Sequence, residues 1–238
     1  MRPPRLLVAS GLAVALVVAA LAAGAAPAVA NSPSSPILTL GSTGTPASPG
    51  DSVGGQMTTG SFQLTIAPVP VPVPVPPPSS PAGLTCAQAS WQGQLLNNPV
   101  APGPASIKFV SAFKFTGCTD NVNPTITGFN GGGMSGLPAP LLVGSGTTYP
   151  LQILPFNSPL QIVVNLATQS GAMTCVYQTN VVVNGSTTVG SSPWAFVNQP
   201  FNLVSGAPAL CSPTGVVFLT VAYNLVYDAT ANNTLTVN

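Results

Sequence analysis

The chain predicts an all-β fold: a disulfide-stapled antiparallel β-sandwich behind a Pro/Gly/Ser-rich N-terminal arm. Three observations lead there. Apolar and polar residues alternate with a period of two in several segments after Leu84. Four cysteines are spread through the same region, and 28 prolines and 24 glycines punctuate the sequence. Outside the first thirty residues no window carries a capped helical period.

Residues 1–30 read as a secretory signal peptide. Arg2 and Arg5 form a short positive region, Leu6 to Ala23 is an apolar stretch, and Ala28-Val29-Ala30 is a small-residue cleavage site that leaves Asn31 as the first mature residue. An uncleaved anchor is the competing reading, because an apolar run of this length can just span a bilayer. No cysteine follows the run to carry a lipid, and the arginines are not adjacent as a twin-arginine signal requires.

Residues 31–81 read as a low-complexity arm. Ser, Gly, Thr and Pro dominate up to Gly60, with a brief apolar patch at Ile37, Leu38 and Leu40. Phe62, Leu64 and Ile66 then alternate with Ser61, Gln63 and Thr65, which predicts one half-buried strand. The tract Pro68 to Pro78 alternates proline with valine. It cannot donate to a ladder and favours polyproline II, as a stiff spacer or a strap.

Residues 82–238 are the predicted sandwich. Ala89, Trp91, Gly93 and Leu95 share one face of the first long strand. Ile107, Phe109, Phe113 and Phe115 share one face of the next, which turns Lys108 and Lys114 the other way. Further strands are expected at Ile162–Leu166, Cys175–Val183, Trp194–Val204 and Val216–Tyr227, the last with Val217, Leu219, Val221, Tyr223, Leu225 and Tyr227 on one face. Turns are expected at Gly131-Gly132-Gly133, Pro138-Ala139-Pro140, Asn184-Gly185 and Ser212-Pro213.

All four cysteines, Cys86, Cys118, Cys175 and Cys211, follow the signal, and an even number in an exported chain predicts two disulfides. Three pairings are open; sequence order favours Cys86–Cys118 with Cys175–Cys211. Each would close a loop worth roughly 3–4 kcal/mol in the chain-entropy treatment. Zinc is disfavoured by the absence of histidine and of C-x-x-C spacing.

Charge is the scarcest commodity. The sequence holds four basic and three acidic residues and no histidine. Signal removal leaves Lys108 and Lys114 against Asp51, Asp120 and Asp228, a net charge near −1. Two lysines make no basic patch for nucleic acid or anionic lipid. A serine nucleophile lacks its base, and a glycosidase needs two of the three aspartates to converge. A calcium loop at Thr119–Asn123 has a single carboxylate, so a turn is the simpler reading. A Lys–Asn self-cross-link beside a carboxylate needs a desolvated lysine, against the outward phase of both. Trp91 and Trp194 are the candidate ligand-binding residues, able to stack on a sugar or line an apolar groove.

The signal ending in Ala-Val-Ala, together with Leu84-Thr85-Cys86, Phe115-Thr116-Gly117-Cys118 and Met173-Thr174-Cys175-Val176-Tyr177, resembles poorly characterised secreted β-rich proteins of actinobacteria and other high-GC bacteria. More loosely, the Cys-strand-strand-Gly-Cys layout is similar to small secreted activators of alkane oxidation associated with biofilm surfaces. The resemblance implies a surface role and no catalytic residues. The expectation is a secreted, non-enzymatic structural or adhesive protein of the cell surface or matrix, with no cofactor and no metal. Its partners are expected to be itself or apolar surfaces, with no nucleic acid and no membrane span once the signal is gone. An extracellular binding module for a hydrophobic or carbohydrate ligand is the alternative.

Overall fold

The computed structural model describes residues 35–41, 44–68, 82–120, 123–145, 149–188, 190 and 193–238. The predicted signal and the Val-Pro tract beyond Pro68 lie outside them. The described residues belong to one compact unit.

β1 (Leu38–Leu40) and β2 (Thr45–Pro46) are short. β3 (Ser52–Gln56) and β4 (Phe62–Thr65) lie end to end along β5 (Gly83–Asn97), and β6 (Ala105–Asp120) returns beside β5. Three interrupted rows follow: β7 (Ile126–Ser135) with β8 (Pro140–Val143), β9 (Tyr149–Ile153) with β10 (Leu160–Thr168), and β11 (Gly171–Thr179) with β12 (Val183–Thr187). β13 (Trp194–Ser205) spans both halves of the last row, pairing with β12 near its start and β11 near its end. A single helical turn, α1 (Pro208–Cys211), leads to β14 (Val216–Tyr223) and β15 (Leu225–Asp228). β16 (Asn233–Val237) turns back onto β15 and β1.

The last row pairs with the first. β14 lies between β13 and β4, and β15 lies beside β3. The rows therefore run β3–β4, β5, β6, β7–β8, β9–β10, β11–β12, β13, β14–β15 and back to β3–β4, an antiparallel meander closed on itself. The two walls expected of a sandwich face one another across one core and are joined at both edges. Closure satisfies backbone groups that an open sheet leaves at its margins.

Alternation builds the core. Trp91 and Leu95, Phe109 and Phe115, Ile162 and Val164, and Leu219 and Val221 all point inward from different rows. Gln88, Gln92, Gln94, Lys108 and Lys114 are exposed on β5 and β6. This apolar inside and polar outside is the reverse of a barrel whose outer band meets lipid. No helix among the described residues is long and apolar enough to cross a membrane. The disulfides are Cys86–Cys118, between directly opposed residues of β5 and β6, and Cys175–Cys211, tying β11 to α1.

Four expectations are corrected. The segment before Pro68 does not act as a loose arm: Ile37 and Leu38 are buried, and β3 and β4 complete the ring between β15, β14 and β5. Gly131-Gly132-Gly133 is not a turn but lies inside β7, where missing side chains admit the Phe115 ring against Gly132. Asn184-Gly185 is likewise inside β12, with Gly185 paired to Phe196. The last long strand breaks at Asn224, whose Oδ1 accepts from the Thr59 N–H at 3.3 Å. The extra residue reverses the phase, so Val226 and Asp228 are buried in place of Leu225 and Tyr227.

Candidate functional sites

Trp91 and Trp194 lie in the core. They are 2% and 1% exposed, and their rings stack with centroids 6.0 Å apart. Trp91 also meets Phe109 and Tyr223 edge-on at 5.2 and 6.2 Å, and its indole occupies the space above Gly55. The pair fills the central part of the ring that a ligand would need. The Tyr177 hydroxyl donates to the Cys211 carbonyl at 2.7 Å. Burial, and secondarily the charge of Asp120, push the Tyr177 phenol well above its ordinary range. Burial does the same to Tyr223.

Of the three aspartates, two converge. Asp51 stands beside Leu95 at one end of β5, through the Leu95 N–H to Asp51 carbonyl bond of 2.9 Å, and meets Asp228. Asp120 lies opposite Leu84, on the order of 35 Å further along β5 at the strand's rise per residue. Asp228 is 0% exposed and so closed to a substrate, while Asp51 is half-buried. Each carboxyl caps a turn. Asp228 Oδ1 accepts from the N–H groups of Thr230 and Ala231 at 2.8 and 2.9 Å, and Asp51 Oδ2 accepts from the Ser48 N–H at 2.8 Å. The remaining Asp228 oxygen is buried with no fixed donor, and its neighbour is the other carboxyl.

Burial raises the Asp228 pKa. The Ala231 N–H opposes this, while the hydrogen bond that the protonated Asp228 carboxyl donates to Asp51, and the Asp51 charge, raise the pKa further. A folded pKa above the unfolded one means stabilisation that is complete below about pH 3.9, the ordinary aspartate value, and lost as pH rises through the folded value. The mature protein is therefore expected to melt higher at pH 4 than at pH 7. Asp228→Asn, whose amide can donate to Asp51 without a proton, is expected to add about 1–2 kcal/mol at pH 7 and flatten the pH dependence. Calorimetric melts across that range check both; a wild-type melting point that rises from pH 4 to 7 contradicts the raised Asp228 pKa.

Two of the surface recesses lie at opposite ends of β5. One is an apolar groove of about 330 Å³ lined by Leu96, Lys108, Pro138, Ala139, Pro140 and Phe156. Its floor is fixed from both sides, since the Phe109 N–H donates to the Ala139 carbonyl at 3.1 Å and the Leu154 N–H to the Pro140 carbonyl at 3.0 Å. Leu96 and Phe156 are 49% and 54% exposed. The sequence reading missed Phe156; its signal is an aromatic residue placed among turn formers, in Pro155-Phe156-Asn157-Ser158-Pro159. The other recess is a cleft between β6 and β7 near Asp120, of about 230 Å³. Among the described residues no three Cys, His, Asp or Glu side chains gather as a metal site.

Comparison with known proteins found no matching family, no matching curated protein and no matching solved structure.

Proposed function

We propose that this is a secreted, non-enzymatic structural or adhesive protein of the cell surface or extracellular matrix, which works by associating with further copies of itself. The observation that carries this reading is the apolar groove at Leu96 and Phe156, edged by Lys108 alone among charged residues, on a chain with very few charges. Apolar recesses on a solvent-facing surface mark contact sites, and a net charge near zero supplies little repulsion between copies. The two disulfides are consistent with an oxidising compartment. Enclosure of Trp91 and Trp194 removes the stacking platform on which a carbohydrate reading rested.

Sedimentation velocity of the mature protein tests the proposal. Association that grows with concentration is expected, with at least a tenfold weaker constant in a Leu96→Gln, Phe156→Gln double variant whose melting point is unchanged. A wild-type protein that stays monomeric at high concentration, or a variant that assembles equally well, overturns it.

A further inference from the structure

The ring is incompletely laced at one place. β6 pairs with β8 through Ala105–Lys108 and with β7 through the single register pair Lys114↔Gly133. Beyond Lys114, β6 continues along β5 as far as Asp120↔Leu84. β7 meanwhile follows β10, with Phe129 opposite Leu166 and Ile126 opposite Thr168. The two strands thus serve different neighbours, and Cys118–Asp120 faces Ile126–Phe129 across a cleft floored by Leu84 and Leu166.

The cleft continues inward. Leu84, Asp120 and Leu166 also border a second space of about 20 Å³, enclosed by Leu64, Val164 and Val217 from both walls and bounded by Tyr177. The rim is held in place rather than loosely hung. Cys118 is bonded to Cys86, Phe129 packs on Phe115 with centroids 5.8 Å apart, and the Asn123 side-chain amide donates to the Ala209 carbonyl at 3.3 Å.

We propose that this cleft binds a linear alkyl chain ending in a primary ammonium group. Its walls supply Leu84, Ile126, Phe129 and Leu166 to the chain. Asp120, the one charged residue among those lining the cleft, supplies the acceptor for a charge-assisted hydrogen bond. Among the described residues no lysine or arginine lines either space, so a carboxylate head meets Asp120 with no cation beside it. The cleft, of about 230 Å³ and open on one side, has room for a short alkyl chain, and an eight-carbon chain is the probe chosen. The apolar wall sets affinity and the single acid sets the choice of head group. This site is separate from the groove at Leu96, some twelve residues further along β5, and stands or falls independently of self-association.

The test compares n-octylammonium, 1-octanol and octanoate by titration calorimetry, with NMR shifts of the Ile126–Phe129 amides locating any binding. The expected order is ammonium, then alcohol, then octanoate, with at least tenfold between the first and last. Asp120→Asn, nearly isosteric, is expected to remove most of the ammonium preference while octanol binding changes less than about twofold. Ile126→Trp, at a half-buried rim position, is expected to weaken ammonium and alcohol alike by filling the apolar wall. Absence of saturable ammonium binding, equal binding of the three head groups, shifts confined to other amides, or an Asp120→Asn protein that keeps the full preference each overturns the proposal.

Discussion

Trp91→Ala is expected to lower stability by about 3–5 kcal/mol, in the upper range for an aromatic residue removed from a core. The ring sits between the two walls, touching rows on both sides of the core. It touches Phe109 on β6, Trp194 on β13 and Tyr223 on β14, and lies over Gly55 of β3, directly opposite in the ladder. A sandwich with free margins can let its sheets slide together over a void. Here the walls are bonded at both edges, so relaxation is small and most of the cavity survives. Gly55→Ala alone is also expected to destabilise, because its methyl would run into the Trp91 indole. Combining it with Trp91→Ala should give a smaller loss than the two singles summed. Urea titration with the disulfides intact measures all three, and a Trp91→Ala loss below 1 kcal/mol contradicts the account.

Gly83→Ala is expected to cost about 2–4 kcal/mol although it adds a single methyl group. Gly83 has φ +147°, and a Cβ there would run into the Leu64 carbonyl and lie 2.8 Å from the Thr65 Cα. These are backbone atoms of the paired strand, so no rotamer change relieves the contact. The methyl separates β4 from β5 at Thr65, whose other side pairs with Phe218 of the closing strand. Gly215→Ala is the control, since φ is +75° but nothing lies within 4 Å of the added carbon. It is expected to lose only about 1 kcal/mol from backbone conformation. Equal losses at the two positions would show that close approach contributes nothing.

The sequence made legible the parts of the fold that write themselves in side chains. Ala89, Trp91 and Leu95 face inward as their alternation predicts, and Ile107, Phe109, Phe113 and Phe115 are buried while Lys108 and Lys114 are exposed. The strand at Phe62 and the pairing of the four cysteines were readable for the same reason: position along the chain maps simply onto position in a meander. What was hidden lies where side chains are missing or where distant segments meet. β3 and β7 carry Gly54-Gly55 and Gly131-Gly132-Gly133, which have no hydrophobic phase and resemble turns, yet glycine is what lets Tyr227, Trp91 and Phe115 lie against those strands. The reversal at Asn224 depends on its contact with Thr59, far away in sequence. Among the site residues, neither the Asp51–Asp228 contact nor the groove at Leu96 and Phe156 has any local spacing to betray it. The first is assembled by closure of the ring, and the second by successive rows that bring Leu96, Pro138 and Phe156 together.

That closure also fixes an order of events. Thr65 is paired with Phe218, and its hydroxyl and the Phe218 carbonyl are 153 positions apart in the chain. All the intervening rows neighbour their sequence successors and can zip up as hairpins while the polypeptide emerges. The first row cannot do so on both sides: it waits against β5, one margin bare, until the last strands arrive. A nascent chain therefore presents the apolar inner surface of β4 and β5 for most of its synthesis, and protection comes in one late step. Limited proteolysis of chains stalled before and after residue 223 would find that step as an abrupt gain of resistance.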